Sequence, residues 1–154
     1  MNQDTAAGTY FEDLSPGRIL HSPGSITMTA ERISSFAQEF DPHPAHLSEA
    51  TARGTMFGRL CASGWHTAAT TNRLIFETFR VPGGGAGAGV EQLRWLRPVY
   101  PGDVLRVEIE ILAARPSKSR PDTGVVTFRA TTLNQHNDPV QQFSSTVLIP
   151  RKGG

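Results

Sequence analysis

Two titratable side chains, Asp41 and His46, stand five positions apart in the chain with Pro42 and Pro44 between them. A carboxylic acid and an imidazole can act together on one water molecule as general acid and base, and the unperturbed pKa of histidine, about 6.5, suits this role near neutrality. Proline lacks a backbone donor, and inside a helix its ring clashes with the preceding turn. We therefore expect residues 40–46 to form a stiff, non-helical segment that holds both side chains at a fixed separation.

Two helices flank this segment in the sequence pattern. Apolar residues at spacings of three and four predict an amphipathic helix over about 30–40, with Thr29 as its N-cap, and Ser48 caps one or two turns after the segment. A further, longer helix is predicted from about Ser63 to Phe79. It contains too many small and apolar positions to have a wide solvent-exposed face, so we expect it to be largely buried and wrapped by a sheet.

The remainder of the chain reads as β-strands. A short strand interrupted at Pro23–Gly24 precedes the helices, and proline there is typical of a sheet edge. Alternating apolar positions predict later strands over about 90–97, 104–112, 123–133 and 140–149. Segregated helices and strands favour an α+β fold, in which a curved antiparallel sheet surrounds the long helix. Because such a sheet leaves open edges, we also expect a homodimer that joins two sheets edge to edge.

The glycine run from Gly83 to Gly89 is the most unusual composition in the chain. It lacks the lysine of a P-loop, and it does not follow the strand–glycine–helix order of a dinucleotide-binding fingerprint. We interpret it as a flexible connector between the long helix and the next strand.

Bulk properties limit the classes of protein. The length of 154 residues fits one domain, with residues 1–8 and 151–154 as expected flexible tails. A net charge of +1 gives no support for a nucleic acid or an anionic membrane as partner. A single cysteine, Cys61, excludes an intramolecular disulfide and fits a reducing compartment. No signal peptide or membrane span is predicted, which favours the cytoplasm.

The run from Glu39 to Ala52 resembles the signature of the MaoC-like dehydratases, the hotdog-fold (R)-specific enoyl-CoA hydratases. That signature reads D-x-N-P-x-H, with an alanine or serine six residues later, and Asp41, Pro44, His46 and Ala52 match it. The likeness covers most of the chain, because three further stretches follow the family order: Tyr10–Gly17, Phe57–Gly64 and Arg97–Asp103.

The resemblance implies a hotdog fold and a reaction. In that reaction water adds to the double bond of a 2-enoyl-CoA thioester, or is removed in reverse. Asp41 and His46 would hold the catalytic water, His46 would take its proton, and Asp41 would deliver one to the α carbon. Gly64, eighteen residues after His46 as in the family, would stabilise the thioester oxyanion. It opens the long helix, where free N–H groups and the helix dipole favour negative charge. No cofactor is implied beyond the CoA of the substrate.

Other residues near these positions have less specific predictions. His43 and Phe40 stand where the family has asparagine and glycine, and His43 could face either the site or solvent. We expect His43, Ser63 and Trp65 to contact the substrate, with Ser63 as a helix cap rather than a nucleophile. No metal site is expected, because His43 and His46 have no thiolate or carboxylate cluster at ligand spacing.

Two other functions remain open from the sequence. A hotdog acyl-CoA thioesterase uses the same kind of groove and the same oxyanion site, but it would leave His46 unexplained. A non-catalytic module that binds acyl thioesters is favoured by the substitutions at Phe40 and His43. Neither the length nor the branching of the acyl chain can be derived from these residues.

Overall fold

The computed structural model describes residues 8–154. Two short 3₁₀ turns, Phe11–Asp13 and Pro82–Gly84, accompany the main elements. The four helices are α1 (Ala30–Phe40), α2 (Pro44–Leu47), α3 (Glu49–Ala52) and α4 (Gly64–Phe79). The six strands are β1 (Ile19–His21), β2 (Ile26–Thr27), β3 (Ala86–Trp95), β4 (Val104–Pro116), β5 (Thr123–Leu133) and β6 (Pro139–Pro150).

The strands form one antiparallel sheet in the order β1-β4-β5-β6-β3, and β2 also pairs with β4. Helix α4 packs against this sheet. Leu74, Ile75 and Phe79 of the helix share one core with the inward residues of the strands, and the rings of Phe79 and Phe128 meet edge to face at 5.1 Å. A curved antiparallel sheet around a long helix is the hotdog arrangement, which confirms the predicted α+β class.

The strands show why the sheet has a single core face. In β4 the side chains of Leu105, Val107, Ile109 and Ile111 are at most 1% exposed, and the residues between them are more open. Period-two alternation of this kind places every second side chain on the helix-facing side. Strand β4 runs to Pro116, beyond the predicted end near residue 112, because it continues to pair with β5 as far as Gly124.

The sequence suggested that the whole glycine run is a connector, but in the structure only its first part is one. Gly83, Gly84 and Gly85 have φ of 72°, 84° and 66°, so they form a turn that other residues rarely adopt. From Ala86 onward, however, the chain is already β3 and pairs with β6, since Ala86 lies opposite Leu148. Half of the run is therefore the beginning of an edge strand.

The long helix is less buried in the single chain than predicted. One face, which includes Thr67, Thr71 and Leu74, is buried in the core. The opposite face is open: Trp65 is 58% exposed and Phe76 is 60% exposed. The exposed apolar side chains follow the helix at one angular position and lie on the same side of the protein as β3, which is exposed over most of its length.

The segment after α1 differs from its prediction in one respect. Asp41, Pro42 and His43 are non-helical, as expected, but Pro44 opens the short helix α2, in which His46 lies. Proline is well tolerated at the first helical position, because the N–H that it lacks would have no helical partner there. The rigidity expected of this segment therefore comes partly from a helical turn.

Both chain ends were predicted to be tails. Residues 1–7 lie outside the described part of the structure. At the other end Lys152 Nζ lies 2.7 Å from Asp13 Oδ1, and Arg151 Nε lies 3.2 Å from Glu12 Oε1. These ion pairs tie residues 151–152 to the first 3₁₀ turn. None of the helices in residues 8–154 combines the length and apolarity needed to cross a bilayer.

Candidate active site

A cavity of about 440 Å³ opens at the N-terminal end of α4. It brings together residues that are far apart in the sequence, from α1 through the segment before β4. Among the residues that line it are Asp41, His43, His46, Gly64, Trp65 and Trp95. The side chains predicted to act as acid and base therefore share one cavity with the predicted oxyanion glycine.

Asp41 and His46 face each other across this cavity. Asp41 ends α1 as its C-cap, with its N–H donated to the carbonyl of Ala37 at 3.0 Å. His46 lies one turn into α2, and its Nε2 stands 3.8 Å from Asp41 Oδ2. This separation is too long for a direct hydrogen bond. One water molecule within reach of both groups could be held and deprotonated here.

The ring of His46 is fixed by a backbone carbonyl. Its Nδ1 lies 2.6 Å from the carbonyl oxygen of Cys61, a group that can only accept. Nδ1 therefore carries the proton, and in the neutral ring the lone pair is on Nε2, the nitrogen that faces Asp41. The N–H of Cys61 in turn donates to the carbonyl of Ala45 at 3.0 Å. This arrangement makes Nε2 the natural proton acceptor.

Cys61 itself is a free thiol, as expected for a single cysteine, and it is buried. Burial raises the pKa of the Cys61 thiol, which keeps it protonated and a poor nucleophile. Its contribution to the site is the carbonyl that orients His46. Sequence reasoning missed this contribution, since a backbone carbonyl is present at every residue and leaves no signal in the sequence.

Ser63 connects the acid to the long helix. Its hydroxyl donates to Asp41 Oδ2 at 2.7 Å and accepts from the N–H of Trp65 at 3.2 Å. The side chain is fully buried and is not among the residues that line the cavity. Ser63 is thus the predicted helix cap and also holds Asp41, while its predicted contact with the substrate stays a prediction.

Gly64 presents the first N–H of α4. The carbonyl of Ser63 accepts from His66 and Thr67, and its hydroxyl accepts from Trp65, but no group in residues 8–154 accepts from the Gly64 N–H. A free amide at the positive end of a helix favours negative charge beside it. A carbonyl oxygen that enters the cavity and gains charge could therefore be stabilised at this amide.

Packing explains why position 64 is a glycine. In the structure a Cβ on Gly64 would lie 2.3 Å from Cε2 of Trp95, so the space is filled by the indole ring. Glycine is needed here because Trp95 lies directly against the start of the helix.

His43 faces the site rather than only solvent. Its Nδ1 accepts the N–H of Ala45 at 3.1 Å and so caps α2, and its ring centre lies 5.2 Å from that of His46. Asparagine, which the family has at this position, is among the preferred N-cap residues. His43 therefore fills a capping position that asparagine would also suit, and its ring lines the cavity.

The other two aromatic positions have distinct surroundings. Trp65 lines the cavity and meets Trp95 edge to face at 5.2 Å, while its predicted contact with the substrate stays a prediction. His66 lies outside the cavity and stacks on Phe36, with the ring centres 4.7 Å apart and the rings 6° from parallel. Burial lowers the pKa of His66, and the nearby Arg32 lowers it further.

A second cavity, of about 390 Å³, lies at the other end of α4. The glycine run, the C-terminal half of the helix and strands β5 and β6 line it, and no titratable side chain is among its lining residues. Its walls are mainly apolar, with Asn72 and Ser145 as polar members, and they offer no ionisable side chain for acid–base chemistry. Within residues 8–154, His, Cys, Asp and Glu nowhere gather in a group of three that could hold a metal ion.

Known proteins resemble this chain over most of its length. The family model of the MaoC-like domain matches residues 13–134. An (R)-specific enoyl-CoA hydratase from Rhodospirillum rubrum is 29% identical over 154 residues, which cover 99% of this chain and 100% of the relative. A 3-hydroxybutyryl-CoA dehydratase from Methylorubrum extorquens is 30% identical over 144 residues, which cover 93% of this chain and 85% of the relative.

The solved structures agree with the sequence relatives. The crystal structure of a MaoC-like dehydratase from Rhodospirillum rubrum superposes with a TM-score of 0.88 and 44% identity, and the match covers 96% of this chain and 100% of that one. Together with the family match over residues 13–134, this agreement confirms the resemblance found in the sequence. The chain belongs to the MaoC-like dehydratase family.

Proposed function

We propose that this protein is a hydro-lyase that adds water to the double bond of a 2-enoyl-CoA thioester, or removes it from a 3-hydroxyacyl-CoA. The observation that supports it best is the convergence of three groups in one cavity: the Nε2 lone pair of His46, the carboxyl of Asp41 at 3.8 Å, and the free N–H of Gly64. The names of the family relatives point to the same reaction class.

The three groups divide the reaction as follows. His46 Nε2 takes a proton from the water held between it and Asp41, while the water oxygen bonds to the β carbon of the enoyl chain. The π electrons of the double bond move towards the thioester oxygen, where Gly64 N–H stabilises the negative charge. For this step Asp41 must enter the cycle as the protonated carboxylic acid: it gives that proton to the α carbon, and the proton on His46 then returns to the Asp41 carboxylate.

The thioesterase alternative makes less use of the site. Attack of water on the thioester carbon needs an oxyanion site and one base. In a thioesterase, one member of the Asp41–His46 pair would therefore have no role. The capping role of His43 also weakens the argument for a non-catalytic module, because His43 orders α2 around His46. Both alternatives are outcomes of the experiment below.

We also propose that the working form is a homodimer joined through β3. This strand is the last in the sheet order, so one of its edges has no partner strand in residues 8–154. Exposed apolar side chains lie along it and along α4, among them Trp65, Phe76, Val90 and Trp95. A second copy that pairs along β3 would cover them. Light scattering should give twice the 16.7 kDa chain mass, and a monomer would contradict the proposal.

A panel of enoyl-CoA substrates tests the reaction. Purified protein should consume crotonyl-CoA or a longer or branched enoyl-CoA, with loss of the absorbance of the conjugated double bond. The Asp41→Asn variant should lose this activity while it stays folded. Release of free thiol would select the thioesterase. CoA-ester binding with no turnover on any member of the panel would select the binding module.

A further inference from the structure

Trp95 forms a wall of the cavity directly beside the start of α4. Its six-membered ring lies so close to Gly64 that a Cβ there would meet Cε2, Cδ2 and Cζ2 at 2.3, 2.6 and 2.7 Å. Trp65 packs against it edge to face, with the rings 83° apart. The indole therefore borders the place where a thioester carbonyl would meet the Gly64 N–H.

The indole is anchored by a buried chain of hydrogen bonds. Trp95 Nε1 donates to Gln141 Oε1 at 3.0 Å, and Gln141 Nε2 donates to Thr71 Oγ1 at 3.0 Å. The hydroxyls of Thr71 and Thr132 lie 2.6 Å apart. The side chains of Gln141, Thr71 and Thr132 are 0% exposed. Because an indole N–H can only donate, the amide oxygen of Gln141 must face it. This fixes the donor and acceptor of each hydrogen bond from Trp95 to Thr71.

A distortion of the backbone puts tryptophan at this position. Up to Glu91, which pairs with Ser144, strand β3 follows a register that would place Arg94 opposite Gln141. A bulge intervenes, with Gln92 at φ 53°, and Trp95 pairs with Gln141 instead. An extra residue in a strand turns the following side chains to the other face. A left-handed conformation at a non-glycine residue is uncommon, which makes this placement a specific feature of β3.

We propose that Trp95 is a specificity-determining residue: held by Gln141, it restricts the space beside the α4 N-terminus to acyl thioesters that are unbranched next to the carbonyl. This inference rests on the proposed thioester site. The buried anchor is what distinguishes Trp95 from an ordinary aromatic wall, because a ring fixed at its N–H cannot swing aside for a branched chain. Removal of the anchor should relax the same selectivity that removal of the ring abolishes.

Binding of two saturated thioesters tests selectivity without any need for turnover. Calorimetry compares butyryl-CoA with 2-methylbutyryl-CoA, which adds one methyl branch on the carbon beside the carbonyl. The wild type should prefer butyryl-CoA by about 10-fold or more, in the range that one methyl group gives in a tight pocket. Trp95→Leu should bring the two dissociation constants close together, and Gln141→Leu should give an intermediate ratio.

The variants can be matched for folding. Gln141→Leu removes the bonds to the indole N–H of the half-exposed Trp95 and to Thr71 Oγ1, but it leaves Thr71 and Thr132 bonded to each other. If Trp95→Leu alone misfolds, the double variant Trp95→Leu/Gln141→Leu removes donor and acceptor together, which is far milder than leaving one unpaired. Leu112→Ala, which changes an exposed side chain on β4 outside both the cavity and the proposed β3 interface, should keep the wild-type ratio.

The outcomes separate this inference from the proposed reaction. Equal affinities in the wild type, no measurable binding of either thioester, or an unchanged ratio in folded Trp95→Leu would overturn the role of Trp95. If the wild type discriminates in binding and the variants relax it, but no enoyl-CoA is hydrated, the hydratase proposal fails and the selectivity role stands.

Discussion

Each end of helix α4 borders a cavity, and the two cavities are similar in size: about 440 Å³ at the N-terminus and about 390 Å³ at the C-terminus. The first contains an acid, two histidines and a free backbone amide. The second is lined by apolar side chains and the glycine run, with no titratable group. Size and shape alone would not choose between them, and the second is the more apolar. Only the placement of ionisable groups identifies the first as a site for acid–base chemistry.

The helix itself adds to this difference. At its N-terminus the Gly64 N–H and the positive end of the helix dipole face the first cavity. At the other end Arg80 closes the helix in a left-handed conformation with φ 48° and donates its N–H to the carbonyl of Phe76. A developing oxyanion would be stabilised at the first end and disfavoured at the second. One helix thus gives the protein one favourable position for a thioester carbonyl.

The largest expected difference in turnover is between a variant of the general base, His46, at the N-terminal end of α4 and a variant near its C-terminal end. His46→Ala removes the proton acceptor, and turnover should fall by about 10²–10⁴-fold, the usual contribution of a general base. Glu77→Gln near the other end breaks only an exposed ion pair with Arg73 and should leave turnover unchanged. Steady-state kinetics on the best enoyl-CoA give both values. Wild-type turnover in His46→Ala would show that the chemistry does not occur at the first cavity.

A methyl group added at each end gives the next comparison. Gly64→Ala places a Cβ inside the Trp95 ring, so turnover should fall by about 10–100-fold and stability by about 1–3 kcal/mol, as in overpacked cores. Gly87→Ala at the second cavity meets nothing within 4 Å and should change neither strongly. Kinetics and thermal unfolding measure both effects. Equal losses in the two variants would remove the distinction between the cavities.

Two helix caps separate stability from activity. Ser63→Ala and Thr29→Ala each remove a side-chain cap, and each should cost about 1 kcal/mol of unfolding free energy. Only Ser63 also holds Asp41, so only Ser63→Ala should lower turnover, by about 10-fold for the loss of this hydrogen bond. Denaturant unfolding and kinetics on both variants provide the comparison. Equal turnover in the two would mean that the bond to Asp41 is dispensable.

The smallest effect concerns a histidine outside the cavity. Burial lowers the folded-state pKa of His66 below its ordinary value of 6.5, so the unfolded chain binds a proton more readily. The stability that depends on neutral His66 is therefore present above pH 6.5 and is lost as the pH falls towards the folded pKa. His66→Phe, which keeps the stacking on Phe36, should lose less thermal stability on acidification than the wild type. Parallel pH profiles of the melting temperature would contradict this assignment.

Local signals in the sequence predicted much of this architecture. Thr29, Ser48 and Ser63 act as helix caps because the capping bond involves only residues two or three positions away. Strands β4 to β6 follow from their alternation. The grouping of Asp41, His46 and Gly64 in one cavity depends on the whole fold, and it was predicted only through the family order of motifs.

What the sequence did not predict depends on distant backbone geometry. The carbonyl that orients His46 belongs to Cys61, fifteen residues away, and a carbonyl is common to every residue. The contact between Gly64 and Trp95 requires a bulge at Gln92, a residue with no general preference for left-handed geometry. The edge strand that starts inside the glycine run forms because β6 offers it hydrogen bonds, although its own composition favours a flexible chain.

Isotope-labelled water tests the central claim most directly. The wild type and Asp41→Asn are incubated with crotonyl-CoA in water enriched in ¹⁸O, and the products are resolved by mass spectrometry. Hydration at the first cavity predicts an intact 3-hydroxyacyl-CoA with the label on its hydroxyl group, formed by the wild type and not by the variant. Free CoA with label in a carboxylate, or equal labelled product from Asp41→Asn, would contradict it.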